Sequence, residues 1–238
     1  MKKTFHRLIL AVVLMVIIII VIIALRPKLV AVNDSADVLN IKDARAQSYA
    51  ADKSPEFVDG DWVFGSSGAV VRIFVYEDYS NPYSAVLADT LDKIRSEFKK
   101  QTAIIVRPYV LENSAFSFEA ALAMDCAAEQ GNWEEMRTIL FNQVKNQQAA
   151  AANINEYAEQ AGLNKDKFSA CLTNNQKSGK IEQAEADAVN YGVQGAPTIF
   201  IGDEMILGAR PYGDFIDSNG DKIEGLRTVI MKKLEEAN

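Results

Sequence analysis

Few residues in this chain carry the side-chain chemistry of catalysis. One histidine, His6, and two cysteines, Cys126 and Cys171, occur in 238 residues. A Ser-His-Asp triad, a Cys-His pair or a histidine-based zinc site needs an imidazole beside the reacting group, and His6 sits in a basic N-terminal flank. Two cysteines cannot complete a four-thiolate metal site. There is no Gly-x-x-x-x-Gly-Lys loop and no Gly-x-Gly-x-x-Gly turn to cradle phosphates. Asp217-Ser218-Asn219-Gly220 has part of a calcium-loop pattern, but Phe215 and Leu226 would fall at its first and last ligand positions. The sequence therefore predicts no metal and no cofactor. Three features remain: the cysteine pair, the Asn81-Pro82-Tyr83-Ser84 segment and the Ala196-Pro197 turn.

Two thiols have three possible states. In an oxidising compartment an even pair favours a disulfide, here closing a loop of about 45 residues and contributing about 4 kcal/mol by chain entropy. Alternatively they lie buried and reduced, packing as small apolar groups. The third state is a redox-active pair, but neither cysteine falls at a predicted helix start, where a thiolate is stabilised.

The elements that must position these residues are legible. Residues 69–76 are β-branched and aromatic with no helical period, and read as a buried strand. Asn81-Pro82 then marks a helix start, with asparagine as the cap and proline in the first turn. Tyr83, Leu87, Leu91, Ile94 and Phe98 share one face of that helix, which is predicted to reach about Lys100. Residues 103–110 read as a second strand, its pairing ended by Pro108. Residues 114–190 are almost wholly helical in pattern, with breaks at Gly131 and Gly162. A glycine-punctuated turn, Gly192 to Pro197, leads into a strand. A Gly202-Asp203 hairpin and a short strand over 204–207 follow. A last helix is predicted from about Lys222 to Glu236. Strand, helix, strand, helical insert, hairpin and helix predict an α/β domain with one mixed sheet and helices on both faces, the thioredoxin plan with an inserted helical subdomain.

Leu8 to Leu25 is an unbroken run of 18 apolar residues. At ~1.5 Å per residue it makes roughly 27 Å of helix, close to the ~30 Å hydrocarbon core. Residues 1–28 therefore read as an uncleaved signal anchor, a single transmembrane helix. A cleaved signal peptide is the alternative, although Ala24-Leu25-Arg26 is not a cleavage site and Leu29-Val30-Ala31 is a poor one. Three cations precede the run and two follow it, which favours an internal N-terminus and an extracytoplasmic domain. Residues 29–66 are expected to form a polar tether, with a packed helix near Val38–Ala46 as the alternative. The domain proper is expected over 67–238.

Charge sets the class of partner. Residues 1–28 hold five of the 25 Lys and Arg and none of the 32 Asp and Glu, so the remainder carries 20 cations against 32 anions. Nucleic-acid phosphates need clustered cations, and so acidic a remainder predicts no nucleic-acid partner.

Three pieces of sequence, in order, resemble the DsbA-like branch of the thioredoxin superfamily. Asp78-Tyr79-Ser80-Asn81-Pro82-Tyr83-Ser84 is similar to the family's Asp-aromatic-x-Cys-Pro-Tyr-Cys pattern. Cys126-Ala127-Ala128-Glu129-Gln130-Gly131-Asn132-Trp133 looks like its insert helices. Gly192-Val193-Gln194-Gly195-Ala196-Pro197-Thr198 resembles its Gly-Val-x-Gly-Thr-Pro-Thr loop, which implies a cis bond before Pro197. The family catalyses thiol–disulfide exchange, yet Asn81 and Ser84 occupy the places of its two cysteines. Asparagine keeps the cap and supplies no nucleophile, and a serine hydroxyl without a base stays protonated. The catalytic motif is thus degenerate over Asn81, Pro82, Tyr83 and Ser84.

The backbone at Ala196 and Pro197 is a candidate for pairing with an extended peptide, because such pairing needs only main-chain groups. The alternative is that Pro197 merely shapes the turn. Two functions follow. One is a membrane-anchored, redox-inactive module that binds or scaffolds extracytoplasmic proteins. The other is a thiol–disulfide oxidoreductase working through Cys126 and Cys171.

Overall fold

A computed structural model describes residues 48–66, 68–111, 114–174 and 178–237. The expected transmembrane helix and the first part of the expected tether lie outside the described residues. Among the described residues no helix is long and apolar enough to cross a membrane. In chain order the main elements are β1 (Ser48–Ala50), β2 (Trp62–Gly65), β3 (Val71–Glu77), α1 (Pro82–Phe98), β4 (Thr102–Pro108), α2 (Ala115–Ala128), α3 (Trp133–Lys145), α4 (Ile154–Gln160), α5 (Lys165–Thr173), α6 (Ser178–Asn190), β5 (Thr198–Ile201), β6 (Glu204–Leu207), β7 (Phe215–Ile216), β8 (Lys222–Ile223) and α7 (Leu226–Glu236).

The sheet has six strands in the order β1-β6-β5-β3-β4-β2. β3 and β4 pair in parallel, joined by α1 as the crossover, and the other ladders are antiparallel. The middle of β3, Ile73 to Tyr76, reads as a continuous apolar run because both of its faces are covered. Ile73 and Val75 pack with Leu87, Leu91 and Ile94 of α1 and with Leu226, Val229 and Ile230 of α7. Phe74 and Tyr76 point the other way, onto Ala188 of α6 and Val193. Each such side chain contributes about 1.5–3 kcal/mol by leaving water. The helical insert has its own core, in which Leu122, Met124, Leu140, Phe141, Tyr157 and Phe168 cluster with Tyr79 and Ala85. Gly131 and Gly162 do interrupt the helices, at φ +79° and +71°, a region that favours glycine.

The structure departs from the sequence reading in two places. Residues 48–66 were expected to belong to a tether, yet they supply both edge strands. β1 pairs with β6, and β2 pairs with β4 at the opposite edge. The connection between them is strapped to the sheet. Ala51 N–H donates to Asp203 O at 2.8 Å, the Ser54 hydroxyl to Gly202 O, and Arg107 to both Asp61 carboxylate oxygens at 2.9 Å. Burial alone would lower the Arg107 pKa, but hydrogen bonds to Asp61 and Tyr76 outweigh it and hold the value above the ordinary one. The folded unit therefore begins before residue 67. Second, the last helix starts at Leu226 rather than Lys222. Lys222–Ile223 pairs instead with Phe215–Ile216 in a small separate ladder.

Candidate functional site

The site lies where β3 ends and α1 begins. Asn81 has extended backbone angles, φ −91° and ψ 124°, as a cap requires, and Pro82 follows in the first turn. The cap oxygen, Oδ1, accepts from Tyr83 N at 2.7 Å and from Ser84 N at 3.4 Å. The amide nitrogen, Nδ2, donates to the Ala196 carbonyl at 3.2 Å. These partners fix which end of the amide is which. Ser84 is fully buried, and its hydroxyl oxygen accepts from Asp78 N at 3.3 Å. Pro82 and Tyr83 face solvent.

The Ala196–Pro197 bond is cis, as the resemblance implies. Its turn is pinned by Gly208 N–H donating to Pro197 O at 2.8 Å and by the Thr198 hydroxyl donating to Gly195 O at 2.7 Å. Thr198 then pairs with Tyr76 of β3, which brings the turn to the end of β3 that leads into α1. The structure thus unites Asn81 with Ala196, 115 residues apart in sequence.

Beneath the loop lie buried charges: Asp78, the first residue of the motif, and Glu77 and Arg137, which motif reading did not single out. Asp78 is 1% exposed. Its Oδ1 accepts from Ser80 N and Ser80 Oγ, both at 2.6 Å, and its Oδ2 from Leu111 N at 3.1 Å and from the Ser117 hydroxyl. Ser80 Oγ also meets Ser114 Oγ at 3.0 Å. Asp78 therefore ties the α1 start to the α2 start. Glu77, fully buried, forms a two-pronged pair with Arg137 of α3. Two signals could have revealed these groups: Glu77-Asp78 closing an apolar strand, and Arg137 beside Met136 on a buried helix face. Tyr79 lies among them at 1% exposure, and burial first, then the Glu77 charge, pushes its phenol well above the ordinary value. The Tyr79 hydroxyl has no hydrogen-bond partner among the described residues.

Cys126 and Cys171 are joined by a disulfide, with Cα atoms 5.8 Å apart. Each sits in the last turn of its helix, Cys126 in α2 and Cys171 in α5. The carbonyl end of a helix disfavours a thiolate, the reverse of the arrangement that activates one. Cys126 is fully buried. Cys171 is half-buried and borders a surface hollow with Lys167, Glu129 and Asn174. Among the described residues, no group of three or more His, Cys, Asp or Glu is placed to hold a metal ion.

A mixed sheet with a helical insert, and a capped helix start facing a cis-proline turn, define a DsbA-like thioredoxin fold. Known proteins agree. The Thioredoxin_4 family, described as thioredoxin, matches residues 58–217, and the chain belongs to this family. Oxidised BdbD from Bacillus subtilis superposes with a TM-score of 0.63 at 17% identity, covering 81% of this chain and 99% of that one. The α-DsbA1 protein of Wolbachia pipientis does so with a TM-score of 0.59 at 18% identity, covering 76% and 94%. A curated relative, the Na(+)/H(+) antiporter NhaA 3 of Salinispora tropica, is 26% identical over 180 residues, which make up 75% of this chain and 26% of the antiporter. The chain thus spans about a quarter of that relative's length.

Proposed function

We propose that this protein is a membrane-anchored, extracytoplasmic DsbA-like module that binds protein segments and does not catalyse thiol–disulfide exchange at the start of α1. One observation carries the reading: the Asn81 side chain occupies the helix start, its oxygen on two backbone N–H groups and its nitrogen on Ala196 O. A thiolate would draw its stabilisation from those same N–H groups. An amide there neither ionises nor attacks, and Ser84 is buried with no histidine within the domain to activate it.

Binding is supported by the exposed Pro82 and Tyr83 beside the Ala196–Pro197 turn, which offer side-chain area next to main-chain groups. Anchoring is supported by the apolar run Leu8–Leu25 with its cationic flanks. The likeness to part of an antiporter, a membrane transporter by its name, is in keeping with work at a membrane.

The alternative, an oxidoreductase using Cys126 and Cys171, has one observation in its favour. Cys171 is half-exposed, with Lys167 one turn earlier on the same helix face. The two helix C-termini weigh against it.

Insulin reduction and peptide-thiol oxidation by the full chain in detergent test the redox half. No turnover above the uncatalysed rate is expected. Turnover that vanishes with Cys126→Ala and Cys171→Ala would move the redox site into the insert. Asn81→Cys with Ser84→Cys should create a reducible pair whose first thiol has a lowered pKa. For binding, a photoreactive residue in place of Tyr83 should give adducts with extracytoplasmic proteins in intact membranes, and its failure to do so would refute that half.

A further inference from the structure

The end of the sheet opposite Asn81 carries a group of exposed cations. β3 runs seven residues, so at ~3.3 Å each its two ends are roughly 20 Å apart. At the far end the register pairs Val71 with Thr102, which sets Val70 and Arg72 beside the 99–101 turn that carries Lys99 and Lys100. Arg72, Lys99 and Lys100 are all exposed, and none has an ion-pair partner among the described residues. Several other surface cations are paired, as in Lys145–Asp89, Arg227–Glu97 and Lys232–Glu224. Two acids at this end, Asp203 and Glu236, are both engaged by Lys233, and Asp52 and Lys53 follow one another in sequence.

Beside the three free cations stands Val70, 62% exposed. It borders a hollow of about 430 Å³ shared with Ser54, Pro55, Arg72 and Lys233. A cluster of unpaired cations beside an exposed aliphatic side chain is complementary to an anionic lipid surface. The headgroup phosphates meet the cations, and the apolar group enters the boundary layer.

We propose that this end of the domain, centred on Val70, Arg72, Lys99 and Lys100, docks on anionic membrane lipids and so turns the Asn81–Pro197 end away from the bilayer. The inference rests on the membrane attachment proposed above. Docking at this end would give the attached domain an orientation.

The test is hydrogen–deuterium exchange of the full chain in lipid nanodiscs of phosphatidylcholine with and without phosphatidylglycerol. Slower exchange over 68–72 and 98–102 is expected only in the anionic discs, and added salt should reverse it. Arg72→Glu with Lys100→Glu should abolish the protection, each reversal weakening docking about fivefold or more. Arg72→Gln with Lys100→Gln should weaken it less, and an unchanged melting temperature shows that the variants are folded. Equal exchange in both kinds of disc would overturn the proposal. So would protection that survives the charge reversals, which would mean a protein–protein contact instead. A chain that fails to enter discs of either composition refutes the anchoring reading itself, an outcome separate from the other two.

Discussion

Glu77 and Arg137 form an ion pair with side chains 0% and 4% exposed, joining the last residue of β3 to α3 of the insert. Burial alone would lower the Arg137 pKa, but the charge and hydrogen bonds of Glu77 outweigh it and raise it. Removing one partner strands a buried charge. Glu77→Gln is therefore expected to cost about 3–5 kcal/mol, while Glu77→Leu with Arg137→Met should cost much less. Urea unfolding of the two variants checks the contrast.

The disulfide predicts a loss of the same size by a different route. Cys126 and Cys171 are 45 residues apart, so opening the loop releases about 4 kcal/mol of chain entropy to the unfolded state. Cys126→Ala with Cys171→Ala should lower the unfolding midpoint accordingly. Reducing agent should lower that of the unmodified protein by about the same amount and leave the variant unchanged.

Tyr79 is expected to run against the usual direction of core mutations. Its ring packs near Trp62 and Phe141, with centroids 6.5 and 5.6 Å away, and its hydroxyl has no partner among the described residues. Tyr79→Phe keeps the ring and deletes a desolvated hydroxyl, so stability should rise by about 1 kcal/mol. A fall of similar size in thermal or urea unfolding would contradict this account.

Asp214 gives a pH signature. The Thr228 hydroxyl first, then the Gly225 N–H, hold its carboxyl at about 2, below the ordinary 3.8. Between those values the unfolded chain binds the proton and the folded one does not. The carboxylate's contribution is thus complete above about pH 4 and is lost as pH falls through 2. Carboxyl-carbon NMR should find a midpoint near 2 that moves toward 3.8 in Thr228→Val.

The parts of the fold that were legible in the sequence are those whose signal is local. Asn81-Pro82 starts a helix by its own cap chemistry. Ile73 to Tyr76 is apolar throughout because both faces of the strand are covered, and Gly131 and Gly162 break helices by their backbone. The parts that were not legible depend on partners far along the chain. Ser48–Ala50 is exposed at all three residues, so no alternation marks it as a strand, and only β6 makes it one. β7 and β8 have two residues each, too few for a period. At the site, the cap was readable, but the bond from Asn81 to Ala196 crosses 115 residues. Asp78 opens the motif, but its bonds to Leu111 and Ser117 lie far along the chain, and Glu77 and Arg137 escaped because they stand outside the motif; all three hold the loop in place.

Because β1 and β2 close opposite edges of the sheet, the stretch from 48 to 65 governs solubility as well as shape. A fragment begun at residue 67 would bare β6 on one side and β4 on the other, each with a row of unpaired N–H and C=O groups. These edges are unlike each other, so copies joining β4 to β6 would stack head to tail with no symmetry to close the array. The short, fully exposed β1 gives the intact domain a blunt edge in place of that adhesive one.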